Sequence, residues 1–288
     1  MEKTFLVTGA SSGIGKAAAK ELARNGATVI LTCRSLSKGQ TVLEEIKRET
    51  RNNKVDLMIA DLSELRQVRN LAAEVKSKYP RLDALINNAG AWNDKRIVTA
   101  DGFETTFAVN HLAYFLLTID LLDLLKSSAP ARIVNVSSGL HKIGRINFED
   151  LQGERGYGGL KAYSQSKLAN VILSYELARR LRGTGVTANC MHPGGVRTNI
   201  YSHMKGLMRI NAILNWPLMR TPKKGAETVV WLAISSEVEG ITGKYFIDRK
   251  ERRSSRASYD PIVARKLWEI SEQMTISQHL TRVAPEPR

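Results

Sequence analysis

A tyrosine and a lysine four residues apart, Tyr163 and Lys167, have side chains that could transfer a proton. On a helix, residues at this spacing share a face, and their Cβ atoms lie about 5–6 Å apart. An ammonium this close favours the phenolate and lowers the pKa of the tyrosine from its usual value of about 10. Such a phenol suits a general acid or base for a carbonyl or an alcohol. The same spacing is also typical of an exposed helix face, so the pair needs support from elsewhere in the chain.

A glycine-rich segment near the start of the chain predicts a dinucleotide site. Residues 4–7 are apolar and β-prone, residues 16–25 have the composition of a helix, and the segment between them includes Thr-Gly-Ala-Ser-Ser-Gly-Ile-Gly. A strand, such a loop and a helix in this order form a dinucleotide-binding turn. Gly9 would make the tight turn, Gly13 would admit a pyrophosphate, and Gly15 would let the helix pack on the strand. The N–H groups of the helix N-terminus would face the phosphate.

The end of the second predicted strand indicates which dinucleotide is bound. Residues 28–32 form a β-prone run followed by Cys33 and Arg34, and Lys38 comes four residues later. NAD sites commonly place a carboxylate here to accept from the ribose 2′-OH, whereas this strand end has no acid. A guanidinium can pair with a 2′-phosphate instead. We therefore predict NADP(H) as the cofactor, with an ordinary surface arginine as the alternative for Arg34.

Further motifs, taken with the loop and the Tyr/Lys pair, resemble the short-chain dehydrogenase/reductase superfamily over roughly residues 3–246. In chain order they are Asp61-Leu62, Asn87-Asn88-Ala89-Gly90, Asn110, the run from Ile133 to Ser138, and His192-Pro193-Gly194. The segment from Asp101 to Leu112 and the block over residues 160–170 are similar to the retinol dehydrogenase branch. Parts of the pattern are shared with protochlorophyllide reductases.

The resemblance implies a catalytic group of four residues, Asn110, Ser138, Tyr163 and Lys167. In the family's pattern, Tyr163 exchanges a proton with the substrate oxygen and Ser138 hydrogen-bonds that oxygen. Lys167 would lower the pKa of Tyr163 and bind the nicotinamide ribose, and Asn110 would hold a water that links Lys167 to solvent. Ser137 is the alternative to Ser138, which is preferred because the family's reactive serine is usually the second of such a pair.

The resemblance also implies cofactor contacts along the carboxyl ends of the strands. Asp61 would contact the adenine, although it could also cap a helix beginning near Ser63. Pro193 and Gly194 would flank the nicotinamide, and Thr198 would bond its carboxamide. The complete predicted set is Gly9, Ser11, Ser12, Gly13, Ile14, Gly15, Arg34, Lys38, Asp61, Leu62, Asn88, Ala89, Gly90, Tyr163, Lys167, Pro193, Gly194, Val196 and Thr198.

The histidines and cysteines show no metal-binding pattern. His111, His141 and His203 lack the spacing of metal ligands, so we interpret them as structural or surface residues and predict no metal. Cys33 and Cys190 fall near strand ends and need no disulfide, which fits a reducing compartment.

The alternation of strand and helix patterns predicts an α/β fold. We expect a Rossmann-type, doubly wound, seven-stranded and mainly parallel sheet with helices on both faces. The chain would form one NADP-binding domain over residues 1–288, with a substrate lid at 199–221 and a C-terminal extension at 248–288. The predicted strands are residues 4–8, 28–33, 55–60, 83–87, 131–137, 186–191 and 243–247.

The chain is strongly basic, with a formal net charge of +15 from 43 Lys and Arg against 28 Asp and Glu. The densest cluster is the segment from Arg249 to Arg256. Such a cluster is most often a solvated loop, and contact with an anionic membrane surface is the alternative. No aromatic platform or binding motif accompanies the charge, so we do not expect nucleic acid as a partner.

The location and assembly of the protein follow from weaker signals. No run of 18 or more apolar residues occurs, and the chain begins almost directly with its first strand. We therefore expect neither a signal peptide nor an N-terminal anchor, and a location in the cytoplasm or at the periphery of an intracellular membrane rather than secretion. The family often pairs through the helices around Asn110 and Tyr163, so a homodimer is expected.

The predicted lid indicates the substrate class. Residues 199–221 are rich in apolar side chains, including Ile200, Met204 and Trp216. Such residues could cover an apolar substrate, or could instead pack on the core or form a contact surface. With the resemblance, they predict an NADP(H)-dependent oxidoreductase that interconverts a hydrophobic, retinal-like aldehyde or ketone and its alcohol. The alternatives are a same-fold reductase of another bond, such as a protochlorophyllide-type pyrrole, and a non-enzymatic NADP-sensing protein.

Overall fold

An eight-stranded sheet forms the centre of the computed structural model, which describes residues 3–198, 200, 204 and 216–281. The strands are β1 (Thr4–Thr8), β2 (Thr28–Cys33), β3 (Val55–Ile59), β4 (Ala84–Asn87), β5 (Ala131–Val136), β6 (Val186–His192), β7 (Tyr245–Ile247) and β8 (Lys250–Glu251). The α-helices are α1 (Gly13–Arg24), α2 (Leu36–Thr50), α3 (Leu65–Lys78), α4 (Thr105–Phe107), α5 (Ala113–Asp120), α6 (Leu122–Ser127), α7 (Gly159–Arg180), α8 (Pro222–Ile234) and α9 (Pro261–Thr281). A π-helical turn spans Ala108–Leu112, and 3₁₀ helices span Gly139–Ile143, Trp216–Leu218, Ser236–Val238 and Arg256–Tyr259.

The strand order is β3-β2-β1-β4-β5-β6-β7-β8, and the first seven strands in this order pair in parallel. All seven predicted strands are present, with ends that differ from the prediction by at most two residues. The direction of winding reverses between β1 and β4. In open α/β sheets, ligands bind outside the carboxyl ends of the strands at such a reversal. The predicted doubly wound fold is therefore confirmed, and its topology locates the expected site.

The sheet has one strand more than we predicted. β8 pairs antiparallel with β7 through a two-residue turn at Asp248 and Arg249, whose φ angles are 53° and 58°. Two left-handed residues in succession form the hairpin turn that suits strand twist, and Gly or Asn usually occupy it. The turn holds here because the Asp248 carboxylate pairs with both terminal nitrogens of Arg220. Without the usual turn residues, the pattern did not indicate a hairpin.

Both faces of the central strands are buried, as the continuous apolar runs of these parallel strands require, whereas the edge strands β3 and β8 have exposed residues. In β1, Leu6 joins the apolar layer under α3, α5 and α7, whereas Phe5 and Val7 join the layer under α1, α2 and α8. This alternation fixes the register of the strands, since a shift of one residue would exchange the two faces. The carboxyl ends of the strands are thereby held level with one another.

The C-terminal extension folds back as the long helix α9, which covers α5 and α7. The Trp268 ring stands edge-on to Phe115 at 4.9 Å between centroids, and the Arg180 guanidinium lies 4.0 Å from the Trp268 ring centroid. Deeper in the interface, His111 Nε2 and Ser271 Oγ are 2.9 Å apart. The outer surface of these two helices is thus occupied by the chain itself. Within the described ranges, no helix has the length and apolar character needed to cross a membrane.

Candidate active site

A cavity of about 500 Å³ opens at the carboxyl ends of the parallel strands. It is bordered by the segments that follow β1, β2, β3, β4, β5 and β6. Nearly all of the predicted site residues line it, and the two exceptions are Gly15 and Asn110. The lining residues that we predicted are Gly9, Ser11, Ser12, Gly13, Ile14, Arg34, Lys38, Asp61, Leu62, Asn88, Ala89, Gly90, Ser138, Tyr163, Lys167, Pro193, Gly194, Val196 and Thr198.

The glycine-rich loop passes so close to the neighbouring backbone that side chains cannot fit. Gly9 has φ +67°, and a Cβ there would lie 2.7 Å from the Cα of Ala89. Gly13 has φ +57° and begins α1, whose N-cap residue Ser12 makes no side-chain cap. The first N–H groups of α1 are therefore available to a phosphate. A Cβ at Gly15 would lie 2.4 Å from the Gly9 carbonyl oxygen, so this glycine lets the start of α1 pack against the loop, as predicted.

A threonine that we did not single out joins the glycine loop to the segment after β4. Thr8 Oγ1 accepts hydrogen bonds from the backbone N–H groups of Asn88 at 2.9 Å and Ala89 at 3.1 Å. The Asn88 side-chain amide in turn donates to the Thr8 carbonyl at 2.9 Å. These bonds hold together the two loops that form the floor of the cavity. The sequence signal was a hydroxyl residue directly before the first glycine of the loop.

Two exposed cations stand where the ribose 2′ position of a dinucleotide is expected. Arg34 follows the last residue of β2, and Lys38 lies in the first turn of α2; both line the cavity and both are exposed to solvent. Ser35 caps this helix, because its hydroxyl accepts from the Lys38 N–H at 3.4 Å. The cap brings the first turn of α2 against the end of β2, which keeps both cations on the rim.

Asp61 lines the cavity, and it does not cap the next helix. Its Oδ1 accepts from the backbone N–H and the hydroxyl of Ser63 at 2.9 and 2.8 Å, which forms a local turn. The helix α3 begins later, at Leu65, and the buried Asp101 carboxylate accepts from the Leu65 N–H at 2.7 Å. The alternative interpretation of Asp61 as a helix cap is therefore wrong, because a residue 36 positions away supplies the carboxylate.

The Tyr/Lys pair lies on one face of α7, as its spacing predicts. Lys167 is almost completely buried; its Nζ lies 5.6 Å from the centre of the Tyr163 ring and 5.7 Å from the Tyr114 ring. The ammonium donates to the Val136 carbonyl at 3.1 Å. Burial lowers the pKa of Lys167 from 10.5 to about 8, because a charged form is poorly solvated there. The amine is therefore still mostly protonated at neutral pH.

The two serines after β5 have different surroundings. The Ser137 hydroxyl is buried and donates to the Lys167 carbonyl at 2.7 Å. The Ser138 hydroxyl accepts from the Leu140 N–H at 3.3 Å, which leaves its own hydrogen available. Just beyond, Gly144 lies against α7, where a Cβ would be 2.4 Å from the Ser164 carbonyl oxygen. This close approach keeps the 3₁₀ helix, and Ser138 at its start, beside the Tyr163 turn of α7.

Asn110 acts from behind the cavity wall. It lies in the π-helical turn and is fully buried. Its Oδ1 accepts from the Ala91 N–H at 2.7 Å, and its Nδ2 donates to the Ala91 carbonyl at 3.0 Å and to Ser166 Oγ at 2.9 Å. Both amide hydrogens are thus used, so the side chain braces the segment after β4 against α7. π-Helical turns of this kind are frequent at functional sites.

A tryptophan that the sequence analysis did not assign to the site packs beside Tyr163, together with two residues of the predicted lid. The rings of Trp92 and Tyr163 are 4.9 Å apart, and Met204, Ile200, Leu140 and Leu160 pack in the same apolar cluster. Trp92 follows the Asn-Asn-Ala-Gly motif by two residues, a position that marks it as part of the wall of the cavity. Of the predicted lid, only residues 200, 204 and 216–221 lie within the described part of the chain, and Ile200 lines the cavity.

Two of the histidines that we interpreted as structural or surface residues are buried. His111 contacts α9, and His141 is the buried residue of the 3₁₀ helix Gly139–Ile143, whereas His203 lies outside the described residues. No group of three or more His, Cys, Asp or Glu side chains in the described ranges is arranged to hold a metal ion.

The arrangement fits a nicotinamide dinucleotide. The cradle of Gly9 and Gly13, the uncapped start of α1 and the basic rim at Arg34 suit an elongated, doubly phosphorylated ligand. The far end of the same cavity reaches Tyr163 and Lys167. One ligand could therefore extend from the basic rim to the proton-transferring pair.

Comparison with known proteins agrees with this geometry. The family model for short chain dehydrogenases matches residues 3–205. Human retinol dehydrogenase 14 is 47% identical, covering 94% of this chain and 86% of that protein, and human retinol dehydrogenase 12 is 44% identical over 93% and 85%. An uncharacterised protein from Mycobacterium paratuberculosis has a TM-score of 0.77 at 35% identity, covering 95% of this chain and 93% of that chain. A short chain dehydrogenase from Escherichia coli CFT073, solved with NADPH, has a TM-score of 0.67 at 31% identity, covering 85% and 95%.

The chain belongs to the short-chain dehydrogenase family. Within the family, it falls in the branch that resembles the retinol dehydrogenases. The protein is thus an oxidoreductase that acts on an alcohol or carbonyl group with a nicotinamide cofactor.

The burial of Lys167 predicts how stability changes with pH. Between pH 8 and 10.5, the unfolded lysine keeps a proton that the folded one has lost, so the free energy of unfolding rises with pH. The free energy of unfolding can be measured with urea on the cofactor-free protein at pH 7.5 and at pH 9.5. Its increase between these two pH values should be larger by roughly 2 kcal/mol than the increase in Lys167→Met, because Met does not titrate. Parallel pH dependence in the two proteins would contradict the lowered pKa.

Proposed function

We propose that the protein reduces a hydrophobic aldehyde or ketone with NADPH and runs the reverse oxidation when the alcohol is in excess. The observation that carries this proposal is the buried Lys167 ammonium, 5.6 Å from the centre of the Tyr163 ring in a cavity that also contains Ser138. A protein that only sensed the cofactor could use the Lys167 ammonium to bind it, but it would have no need of a phenol beside that cation. An enzyme that must protonate a developing alkoxide needs both groups.

Each catalytic side chain has a distinct task in this reaction. When bound, the cofactor supplies the hydride. Ser138 donates its free hydroxyl hydrogen to the carbonyl oxygen of the substrate and stabilises the charge that develops there. Tyr163 gives its phenolic proton to the same oxygen. The Lys167 ammonium stabilises the phenolate that remains.

Proton return and the position of the lysine depend on the surrounding backbone. Lys167 donates to the Val136 carbonyl, and we assign to Asn110 the placing of a water that connects the ammonium to solvent. Because both Asn110 amide hydrogens are used, this water would bind to a backbone carbonyl oxygen of the π-helical turn that contains Asn110. Gly90 lies between the Asn110 side chain and the Lys167 ammonium. A Cβ at this glycine would be 3.6 Å from Asn110 Oδ1 and 3.7 Å from Lys167 Nζ.

The substrate class follows from the apolar cluster around Tyr163. Trp92 and Ile200 line the cavity beside the phenol, with Met204 buried in the same apolar cluster, so a substrate carbonyl would approach Tyr163 along an apolar wall. Such a wall favours an extended apolar carbonyl over a small polar one. Relatives named retinol dehydrogenases support a retinal-like substrate. We further propose that residues 199–221 form the lid over it.

The test of this function is oxidation of NADPH, followed at 340 nm, with a panel of aldehydes and ketones that includes retinal. Turnover should fall by about 10²-fold or more in Tyr163→Phe, the size of effect that a lost general acid gives. Tyr175→Phe is the matched control, because it deletes the same hydroxyl from the same helix at a site bonded to Ser254. Equal turnover in the two variants, or tight NADPH binding without reduction of any carbonyl, would refute the proposal.

We also propose that NADP(H) is preferred over NAD(H). Arg34 and Lys38 place two positive charges on the rim of the cavity, directly after β2. A guanidinium at this place can make two charge-assisted hydrogen bonds to a 2′-phosphate, a contact that NAD(H) lacks. Relatives solved with NADP or NADPH support the same preference.

Replacing Arg34 tests this preference directly. Arg34→Asp should weaken NADPH binding by about tenfold to a hundredfold, because hydrogen bonds to charged groups contribute about 1.5–3 kcal/mol. NADH binding should be unchanged or improved, since the carboxylate can accept from the 2′-OH. Arg48→Asp makes the same charge change on the exposed part of α2 outside the cavity and should leave both affinities unchanged. An equal loss in both variants would show that Arg34 acts only through net charge.

We propose that the excess of Lys and Arg side chains mediates peripheral contact with an anionic membrane. His141 Nε2 accepts from the Ser255 N–H, which brings the segment after β8 against the 3₁₀ helix. The exposed cations of the two segments therefore form one patch around Ile143, which is 60% exposed. In the described part of the chain none of these cations has a carboxylate partner; they are Lys142, Arg145, Arg252, Arg253 and Arg256.

Sedimentation with vesicles tests the patch. Binding to vesicles that contain phosphatidylserine should fall when Arg252 and Arg253 are both changed to Glu, because each basic residue near an acidic surface contributes about 1 kcal/mol. The adjacent pair Lys47 and Arg48, changed in the same way, is the control on α2. Absence of binding to anionic vesicles at low salt would overturn this proposal.

The homodimer that we expected from the sequence remains a proposal, and the structure restricts the surface through which it could form. Because α9 covers α5 and α7, the helices around Asn110 and Tyr163 cannot pair with a second copy unless α9 moves. A dimer would have to use another face. Light scattering that shows only monomer over micromolar concentrations would exclude it.

A further inference from the structure

The peptide group between Ser138 and Gly139 is held at both ends by histidine rings. Its carbonyl oxygen, on Ser138, lies 2.7 Å from His141 Nδ1. Its N–H, on Gly139, donates to His192 Nδ1 at 3.0 Å. The two rings come from different elements, since His141 belongs to the 3₁₀ helix and His192 is the last residue of β6. One peptide plane is thus fixed from two sides.

The hydrogen bonds define which nitrogen of each ring carries the proton. His141 Nε2 accepts from the Ser255 N–H at 3.1 Å, so the hydrogen of a neutral ring lies on Nδ1 and is donated to the Ser138 carbonyl. His192 accepts at Nδ1, so its hydrogen lies on Nε2. The two imidazoles therefore have opposite tautomers. Burial lowers the pKa of both rings, that of His192 to about 4, which keeps them neutral near pH 7.

The packing around the peptide leaves it little freedom. A Cβ at residue 139 would lie 3.1 Å from His192 Nε2, so the ring sits directly against the glycine backbone. The His141 ring packs on Tyr245 at 4.9 Å between centroids. On the strand side, the Ser137 N–H donates to the Met191 carbonyl at 2.8 Å, which places the end of β5 beside His192.

We propose that His141 and His192 are positioning residues that clamp the Ser138–Gly139 peptide and so fix the direction in which the Ser138 hydroxyl donates to the substrate oxygen. The inference rests on the proposed carbonyl reduction. The hydroxyl already accepts from the Leu140 N–H, and its remaining freedom is set by the backbone that carries it. Neither ring needs to touch the substrate. If the clamp were lost, Ser138 would still be present but would be aimed less well, which lowers turnover more than cofactor binding.

The tautomers are read from the spectrum of the unsubstituted protein, in which the clamp is intact, and variants serve only to assign the signals. In ¹⁵N spectra of histidine-labelled protein at neutral pH, His192 should show its hydrogen on Nε2 and His141 on Nδ1. The signals are assigned by their disappearance in His192→Asn and His141→Asn. The same tautomer in both rings, or an imidazolium in either, would overturn the clamp.

A pair of substitutions at His192 then tests its effect on the reaction. Asn places an acceptor oxygen where Nδ1 lies, whereas Leu has a similar size and no acceptor. In His192→Leu, exchange of the Gly139 amide hydrogen should be faster and kcat lower by about tenfold each, the size of one lost hydrogen bond, with the Kd for NADPH within about threefold. His192→Asn should recover most of both losses. Equal behaviour of Leu and Asn, or a loss confined to NADPH binding, would overturn the positioning role.

The two kinds of readout separate failure of the clamp from failure of the proposed function. The tautomers and the exchange of the Gly139 amide do not depend on turnover. Opposite tautomers in a protein that reduces no carbonyl would leave the clamp standing and refute the reaction. Carbonyl reduction by a protein whose two rings have the same tautomer would support the reaction and refute the clamp. Because the tautomers need no Leu variant, the test holds even if His192→Leu does not fold.

Discussion

The ammonium of Lys167 is held inside the protein, and the rest of the site is arranged around the place where that charge is tolerated. Lowering the pKa from 10.5 to about 8 corresponds to about 3 kcal/mol of unfavourable burial for the charged amine. The Val136 carbonyl at the end of β5 offsets part of this, and two aromatic rings face the cation at 5.6 and 5.7 Å. Strongly perturbed pKa values of this kind cluster at functional sites.

The parallel sheet gives that charge its partners. The level carboxyl ends of β4, β5 and β6 place the segments carrying Ala91, Ser138 and His192 at one edge. Helix α7 crosses this edge, and Gly144 allows the 3₁₀ helix to approach it closely. As a result, the Tyr163 phenol, the Lys167 cation and the Ser138 hydroxyl come from two elements whose relative position is fixed by backbone contacts. The cofactor cradle at β1 is joined to the same edge through Thr8.

Much of this could be predicted from the sequence, because strands and glycine turns have strong local signals. The seven parallel strands, the loop at Gly9 and the pair at Tyr163 and Lys167 depend on apolar runs, glycines and helical spacing. The features that we missed depend on tertiary contacts. The cap of α3 comes from Asp101, far along the chain, and the β7–β8 turn is held by an ion pair with Arg220.

The site residues also divide into those with a local sequence signal and those whose position depends on tertiary contacts. Residue type indicated correctly which residues lie near the cavity, and all of the predicted site residues except two line it. Asn110 and Gly15 turned out to support the wall from behind, since one braces Ala91 and the other packs on Gly9. Trp92 and His192 line the cavity although neither was among the predicted site residues, and only His192 belonged to a motif, His192-Pro193-Gly194. Their place is decided by where β4 and β6 end, which is a property of the sheet register.

The most direct test of the account uses retinal and NADPH that carries deuterium in the transferable position of nicotinamide C4. After incubation with the protein, the product is analysed by mass spectrometry and proton NMR. Hydride transfer to a carbonyl held between Ser138 and Tyr163 predicts an alcohol with one deuterium on the carbon that bears the hydroxyl. An alcohol without deuterium, deuterium elsewhere in the molecule, or no reduced product would contradict it.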